Sequence, residues 1–164
     1  MNIVEQFLIS KATENHYFQM SFGGEILDIS KSSCRLTEPS EMGCVYGIAI
    51  KIVSPQIKKY VFNQYSTRHE SLADLSDWRR LNDTNFYPLY WGKDVTSGSR
   101  LKAHVKKSKS TGALHLLEEQ FSGLSKYLVI YGGVLCSKRG EFEKWLHQSY
   151  PDLLQGYTHP SSTN

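Results

Sequence analysis

The feature that most constrains the fold is an alternating stretch, CVYGIAIKIV, at residues 44–53. Its large apolar side chains occupy every second position, at Tyr46, Ile48, Ile50 and Ile52. A period of two with β-branched residues indicates a strand, because successive side chains of a strand point to opposite faces. We therefore predict a strand here, with one large apolar face directed toward a core.

Further elements follow from apolar spacing and from turn residues. Helices are predicted at residues 2–20, 71–82, 100–107, 114–124 and 140–149. Strands are predicted at residues 25–30, 86–91 and 127–135. Residues 57–65 fit either a helix or a returning strand, and residues 30–43 have the composition of a loop. This order of elements predicts a mixed α/β (α+β) fold.

Length and composition indicate one globular domain. The chain has 164 residues, of which 40% are hydrophobic and 21% are charged, which is enough to bury one core. Its first residues, MNIVEQFLIS, lack a basic region, and no later apolar run approaches the length of a membrane span. We therefore expect a cytoplasmic protein. The three cysteines have no spacing typical of a disulfide framework or a zinc finger.

A second informative stretch, residues 86–105, crowds polar groups around a predicted strand end. The strand is expected to stop at Gly92, and Ser97 or Ser99 to cap the helix that follows. Four side chains suited to phosphate binding lie within fifteen residues, Tyr90, Lys93, Arg100 and His104. The last two are four residues apart, so they are neighbours on one helical face. Because binding sites commonly lie on loops beyond strand ends, we interpret this stretch as a candidate site.

The distribution of charge marks the same region. The net charge of +3 is mild and does not by itself indicate a nucleic-acid partner. Five cations nevertheless fall within ten residues that contain no acid, at Arg100, Lys102, Lys106, Lys107 and Lys109. Such a cluster predicts a local surface that attracts anions.

Five short motifs follow one another along the chain. They are a strand with Val-Tyr, a strand with Tyr-x-Gly, a helix with Arg-x-x-x-His, a further strand and a helix with Glu. The residues at these positions are Tyr46, Tyr90, Lys93, Arg100, His104 and Glu143. This ordered set, which covers residues 43–157, resembles the GIY-YIG nuclease superfamily, in particular its restriction-endonuclease-like branch. The family usually joins the two tyrosine strands by a short hairpin, whereas 43 residues separate the tyrosines here.

The resemblance implies a small, mainly antiparallel central sheet flanked by helices. It divides the chain into an N-terminal extension at 1–43, a GIY-YIG-like core at 44–157 and a flexible tail at 158–164. The core contains an insert at 55–85, between the two tyrosine strands. We expect these parts to form a single nuclease domain.

The activity that the resemblance implies is metal-dependent hydrolysis of DNA phosphodiester bonds by a restriction-type endonuclease. One Mg²⁺ or Mn²⁺ ion per active site would be held by Glu143. Glu141 borders the same helical stripe at a similar angle, and we choose Glu143 because Leu146 follows it by three, as in the family pattern. A single carboxylate holds such an ion weakly, so we expect productive metal binding only with substrate.

The remaining motif residues would carry the proton transfer and the charge stabilisation. Tyr46 would take a proton from water, but a phenol with a pKa of about 10 is a poor base at neutral pH. Lys93, Arg100 and the metal can lower that pKa by stabilising the phenolate, and His104 can accept its proton. Arg100 can also hold phosphate oxygens bidentately. Tyr90 would orient water or phosphate.

Six basic residues and one glutamine outside this chemistry are expected to contact nucleic acid. The candidates are Arg68, Arg79, Arg80, Lys102, Lys106, Lys107 and Gln155, the last of which stands where many family members have Asn. A helix that merely packs over the sheet explains the arginines of the insert equally well. The expected partner is DNA, with RNA left open, and a homodimer is one possible assembly. The alternative functions are a non-catalytic nucleic-acid-binding module on the same scaffold and a nuclease toxin or effector.

Overall fold

A computed structural model of the chain describes residues 3–17, 27–28, 44–94, 100, 103–104, 114, 116, 121, 124, 127–132 and 138–157. Within these residues the α-helices are α1 (Ile3–Glu14), α2 (Pro55–Tyr65) and α3 (Arg139–Ser149). The strands are β1 (Leu27–Asp28), β2 (Cys44–Lys51), β3 (Phe86–Asp94) and β4 (Tyr127–Gly132). The fold is mixed α+β, as the order of the predicted elements indicates.

The strands form one sheet in the order β1-β4-β2-β3, and each of these pairs is antiparallel. The strand predicted from the alternating stretch, β2, lies in the interior of the sheet between β3 and β4. Its register with β3 places Tyr46 opposite Gly92 and Ile48 opposite Tyr90. The two tyrosine motifs are therefore on neighbouring strands, although an insert separates them in sequence.

A β-bulge in β3 decides the side of the sheet on which Tyr90 lies. Ile48 pairs with Tyr90 but the next residue of β2 pairs with Pro88, so Leu89 is an extra residue on β3. A bulge of this kind shifts the in-and-out alternation by one position. Leu89 and Tyr90 consequently pack in the same cluster although they are consecutive, while Trp91 lies in the cluster on the opposite face.

Both faces of the sheet are covered by apolar side chains. The first face packs against α2 and the chain after it, with a core that includes Tyr46, Ile48, Ile50, Phe62, Leu72 and Trp78. The second face packs against α1 and α3, with a core that includes Val45, Ala49, Trp91, Phe7, Leu8, Phe142 and Leu146. On this second face Gly47 makes room for the Trp91 ring, because a Cβ atom at position 47 would lie 2.4 Å from it.

The helix predicted at 2–20 is shorter than expected. It ends at Glu14, and His16 adopts a left-handed conformation with φ of 59°. The Tyr17 N–H then donates to the Ala12 carbonyl at 2.7 Å and the His16 N–H to the Thr13 carbonyl at 3.1 Å. These two bonds are the Schellman pattern of a helix C-terminus. The helix therefore ends before the predicted end at residue 20, and residues 18–20 lie outside the described part of the chain.

The helix predicted at 140–149 is confirmed as α3, and the stretch left open at 57–65 is a helix. In α3, Phe142 and Leu146 are buried and Trp145 packs against them. α2 begins after Ser54, whose Oγ accepts a hydrogen bond from the Ile57 N–H at 3.2 Å. An N-cap serine followed by proline in the first turn favours a helix over a strand.

The helix predicted at 71–82 is wrong, because this segment contains only a 3₁₀ turn at Glu70–Leu72 followed by irregular turns. Asp77 accepts a hydrogen bond from the Asp74 N–H at 2.8 Å, and such side-chain bonds compete with helix formation. Trp78 is buried and donates its indole N–H to the Pro88 carbonyl at 2.7 Å. The apolar spacing indicated the burial of Leu72 and Trp78 correctly, but Arg79 and Arg80, which fall inside the predicted helix, lie in irregular structure.

Three further predictions need correction or lie partly outside the described residues. β3 does not stop at Gly92 but continues to Asp94, because Gly92 remains paired with β2. At 114–124 the described residues Leu114, Leu116, Phe121 and Leu124 are buried but not α-helical. At 100–107, Arg100, Ala103 and His104 are helical and the others are not described. The predictions for 30–43 and 158–164, and for Lys102, Lys106 and Lys107, lie outside the described residues.

Among the residues that the structure describes, no helix is long and apolar enough to cross a membrane.

Candidate active site

The Tyr46 side chain is held against the backbone of the neighbouring strand. Tyr46 is fully buried, and its ring lies over Gly92. A Cβ atom at position 92 would stand 2.3 Å from Tyr46 Cζ and 2.4 Å from its hydroxyl oxygen. The glycine of the Tyr-Trp-Gly motif is therefore required by the ring that crosses it, and not by a strand end.

His104 completes an aromatic group with the two tyrosines. Its ring centroid lies 4.6 Å from that of Tyr90 and 6.0 Å from that of Tyr46, and the two tyrosine rings are 6.4 Å apart. His104 is only 1% exposed, and its Nδ1 accepts a hydrogen bond from the Leu114 N–H at 3.2 Å. The proton of the neutral imidazole is then on Nε2. In this arrangement His104 is a donor, which argues against the predicted role of accepting a proton from Tyr46.

Arg100 links this aromatic group to a carboxylate. Its guanidinium hydrogen-bonds with the Tyr90 hydroxyl and interacts electrostatically with Tyr46 and Glu143. Partial burial acts to lower the pKa of Arg100, but these neighbours outweigh it and raise that pKa, so the side chain stays charged. Burial raises the pKa of Tyr90 above its ordinary value, and the opposing charge of Arg100 does not cancel the effect. Tyr90 is therefore a neutral hydrogen-bonding group.

Glu143 of α3 forms an ion pair with Lys93 of β3. Lys93 Nζ lies 3.0 Å from Glu143 Oε2, and the Glu143 side chain is 20% exposed. Gly140, at the start of α3, lies beside this pair, and a Cβ atom there would stand 3.3 Å from Lys93 Nζ, a distance that the flexible lysine can adjust. Glu141 instead pairs with Lys138 at 3.0 Å on the surface. The geometry thus favours Glu143 over Glu141 as the carboxylate of the site.

The candidate catalytic residues therefore form one connected group, which we call the six-residue cluster. Its members are Tyr46, Tyr90, Lys93, Arg100, His104 and Glu143. The aromatic members pack on the α2 face of the sheet, and the ion pair lies beside α3. Arg100 interacts with both parts.

Two residues at this site were not predicted as site residues, His147 and Asp152. Asp152 is completely buried, and its Oδ2 accepts a hydrogen bond from the Trp91 N–H at 3.0 Å. Its Oδ1 accepts from His147 Nδ1 at 2.6 Å, and His147 Nε2 lies 4.0 Å from Glu143 Oε1. Burial acts to lower the pKa of His147, but Asp152 and Glu143 raise it above its ordinary value. The sequence signal was the spacing of four between Glu143 and His147.

The segment after α3 holds Asp152 in place by covering the outer edge of β3. The Leu154 N–H donates to the Leu89 carbonyl at 2.8 Å, and the Leu153 N–H donates to the Pro88 carbonyl at 3.2 Å. The indole N–H of Trp91 donates to the Tyr150 carbonyl at 2.7 Å. These bonds pair the backbone of β3, an edge strand whose polar groups would otherwise be exposed. The same segment places the buried carboxylate of Asp152 against His147 of α3.

The arginines of the insert that are predicted to contact nucleic acid differ in their contacts with the rest of the protein. Arg79 donates to the Ser149 carbonyl and its guanidinium lies 5.6 Å from the centre of the Tyr150 ring, so it is anchored to the end of α3. Arg80 is exposed and lines a cleft of 520 Å³. The other residues that line this cleft are Lys58, Ser76, Trp78, Arg79, Asn82, Asp83, Tyr87 and Tyr150. Arg68 is exposed with a left-handed φ of 51°.

Gln155 stands on the segment that covers β3. Its backbone carbonyl accepts a hydrogen bond from the hydroxyl of Thr67, a residue that follows α2 in the chain. Within the described part of the chain, its buried side-chain Oε1 has no hydrogen-bond partner. The amide oxygen of Gln155 is therefore not exposed for the predicted contact with nucleic acid.

The residues present fit a metal site built on one carboxylate. Among the described residues, no three His, Cys, Asp or Glu side chains lie close enough together to form a cage around an ion. Glu143 is partly exposed, and Lys93 occupies its Oε2, which leaves Oε1 for a cation. A hard divalent ion accepts such a site when water and phosphate oxygens supply the remaining ligands.

No protein-family model matches this chain, and no curated protein or solved structure does. What the site can do is therefore inferred from its residues and their geometry.

Proposed function

We propose that this chain is a metal-dependent endonuclease of GIY-YIG type, which hydrolyses DNA phosphodiester bonds as a restriction-type enzyme does. The observation that carries the proposal is the interaction of Arg100 with two tyrosines and with Glu143. These residues come from different strands and helices. A fold that needed only stability would have little use for a charged guanidinium that hydrogen-bonds to one phenol and interacts electrostatically with a second phenol and a carboxylate. Phosphodiester hydrolysis needs an activated water, stabilisation of the charge at phosphorus and help for the leaving oxygen, and these groups with a metal ion can supply all three.

Arg100 is proposed to bind the scissile phosphate. Its pKa is raised, so it keeps its charge at any pH at which DNA is stable. The planar guanidinium can hold two phosphate oxygens at once, and it stabilises the charge that develops on them in the transition state. Tyr90 stays neutral and donates its hydroxyl proton to phosphate or water, with Arg100 fixing the position of the phenol oxygen.

Tyr46 is proposed as the base that takes a proton from the attacking water. Arg100 interacts electrostatically with Tyr46 and would stabilise a phenolate formed there during the reaction, and His104, which carries its proton on Nε2, would stabilise the same anion as a donor. The Tyr46 hydroxyl is buried, so in this proposal substrate binding opens the cluster and the phenol first releases its proton to solvent water. The phenolate then takes a proton from the attacking water.

Glu143 is proposed to hold one Mg²⁺ or Mn²⁺ ion through Oε1. When bound, such an ion stabilises the charge on the phosphate and on the leaving oxygen. Lys93 holds the other oxygen of Glu143 at 3.0 Å and so fixes the carboxylate.

Among the basic residues, Arg68 and Arg80 are exposed and available for DNA phosphates, whereas Arg79 is tied to α3. Lys102, Lys106 and Lys107 are proposed as further phosphate contacts.

One observation favours the second candidate function, a non-catalytic nucleic-acid-binding module. A buried Tyr46 hydroxyl and a His104 fixed as a donor suit a packed aromatic core as well as they suit a base. Such a module would still use Arg100 and the exposed arginines to bind phosphates.

Supercoiled plasmid separates the two functions. Purified protein with Mg²⁺ is expected to convert plasmid to nicked and linear forms, and the same protein with EDTA is not. Binding of DNA by gel shift without cleavage in either Mg²⁺ or Mn²⁺ would assign the chain to the binding module. Replacing Arg100 with Ala is expected to abolish cleavage, because the phosphate loses its main positive partner at the cluster.

A further inference from the structure

The starting point is the buried carboxylate of Asp152. A buried carboxylate is costly unless it is paired, and both oxygens of Asp152 are used. Oδ2 accepts from the Trp91 N–H at 3.0 Å, and Oδ1 accepts from His147 Nδ1 at 2.6 Å. The strand thus fixes Asp152, and Asp152 fixes the orientation of the imidazole on α3.

The fixed imidazole presents its other nitrogen to Glu143. His147 Nε2 lies 4.0 Å from Glu143 Oε1, which is longer than a hydrogen bond. The second oxygen of Glu143 is held by Lys93 at 3.0 Å. Two ligand-type atoms therefore face each other, and each belongs to a side chain whose opposite end is held by another group. A carboxylate that accepts from one imidazole nitrogen while the other nitrogen binds metal is the usual setting of a metal-bound histidine.

We propose that Glu143 Oε1 and His147 Nε2 together bind one divalent metal ion, with Asp152 orienting the imidazole. The inference deepens the proposed function, since it rests on Glu143 as the metal ligand. It also changes the metal expected. An imidazole nitrogen favours ions of the Mn²⁺, Co²⁺ and Zn²⁺ series over Mg²⁺, which binds oxygen ligands almost exclusively.

The competing explanation is that His147 and Asp152 only tie α3 to β3. The two explanations differ in the imidazole nitrogen that matters. The link between α3 and β3 needs only the hydrogen bond from His147 Nδ1 to Asp152, whereas metal binding needs Nε2. Replacing His147 with Asn keeps a side-chain N–H near the position of Nδ1 and removes the ligand at Nε2. The matched control is Glu141→Gln, which changes a carboxylate on the same helix that pairs with Lys138 on the surface.

The test is a titration of the full chain with Mn²⁺, and separately with Mg²⁺, in the absence of DNA, followed by calorimetry and by the electron paramagnetic resonance of free Mn²⁺. We expect wild type and Glu141→Gln to bind Mn²⁺ more tightly than Mg²⁺. In His147→Asn the Mn²⁺ dissociation constant is expected to rise by roughly tenfold or more, as for lost metal-site groups, while Mg²⁺ binding changes little. Equal Mn²⁺ affinity in wild type and a folded His147→Asn variant would overturn the proposal.

A second readout does not depend on any variant. Pulsed electron paramagnetic resonance of Mn²⁺ bound to the wild-type chain should show coupling to a directly bound nitrogen, and bound Mn²⁺ without that coupling would also overturn the proposal. Failure of the proposed function is a separate result. If the chain binds Mn²⁺ through nitrogen but leaves plasmid intact, the metal site stands and the proposed nuclease function is contradicted. If the chain cleaves plasmid but shows no nitrogen coupling, only the proposal that His147 is a second metal ligand is contradicted.

Discussion

The ring of Tyr46 occupies the space that a side chain on Gly92 would fill, with a hypothetical Cβ atom 2.3 Å from Tyr46 Cζ. This relationship joins the two tyrosine motifs across neighbouring strands, where Tyr46 and Gly92 are paired residues. It also explains why a glycine stands inside β3 and not at its end.

Gly92→Ala is therefore expected to displace the Tyr46 ring. Overpacking a well-filled core costs about 1–3 kcal/mol, so the melting temperature should fall, and cleavage should fall with it. Gly140→Ala is the matched control, because its new methyl group would meet only the flexible Lys93 ammonium, at 3.3 Å. Thermal melting of both variants checks this, and equal stability of Gly92→Ala and wild type would contradict the packing of the Tyr46 ring against Gly92.

Tyr46→Phe separates a base from a packed aromatic. The change keeps the ring over Gly92 and removes the hydroxyl, so the stability should change by no more than about 1 kcal/mol. If Tyr46 activates water, single-turnover cleavage should fall by roughly a hundredfold to ten-thousandfold. A stable variant that cuts at the wild-type rate would remove Tyr46 from the mechanism.

The raised pKa of Tyr90 gives a prediction about alkaline stability. A group whose folded pKa is raised stabilises the fold below its unfolded pKa, about 10 for tyrosine, and that contribution is lost as the pH rises through the folded pKa. Urea unfolding across this range should therefore show a fall in stability with rising pH that is shallower in Tyr90→Phe. An identical pH dependence in both proteins would show that burial does not hold Tyr90 neutral.

The sequence pattern predicted the helices and strands that bury one regular face. It failed where contacts between residues far apart in sequence determine the local structure. The period of two in β2 and the stripe of Phe142 and Leu146 in α3 are confirmed, since each buries a regular face. The segment at 71–82 has similar apolar spacing, but Trp78 is positioned by a bond to Pro88 and not by a helix.

The sequence predicted which motif residues lie together, but not the bulge and the buried carboxylate that position them. The motif residues come together as one cluster because the strands that carry Tyr46 and Tyr90 pair directly. The bulge at Leu89 puts Tyr90 on the same face as Tyr46. Its local sign is Pro88, but a proline in a strand indicates an edge or a bulge without fixing which residue is the extra one. Asp152 was missed because its partner N–H, on Trp91, lies 61 residues away.

The arginines of the insert should contribute unequally to DNA binding. Arg80 is exposed, whereas Arg79 is bound to Ser149 and lies over Tyr150. Arg80→Ala is expected to weaken binding and to reduce the slope of log affinity against log salt by about 1, as for one lost phosphate contact. Arg79→Ala should chiefly lower the melting temperature. Binding titrations at several salt concentrations check both, and an unchanged slope in Arg80→Ala would place that residue outside the DNA contact.

The central claim, a metal-dependent nuclease built on Glu143, is tested most directly by comparing two carboxylates on one helix. Single-turnover cleavage of plasmid in Mg²⁺ is measured for Glu143→Gln and Glu141→Gln, with DNA binding recorded in parallel. Because Glu143 lies beside Lys93 and interacts with Arg100 while Glu141 pairs with Lys138, Glu143→Gln should lose cleavage yet bind DNA as tightly as wild type or more tightly. Glu141→Gln should cut normally, and full activity in Glu143→Gln would contradict the account.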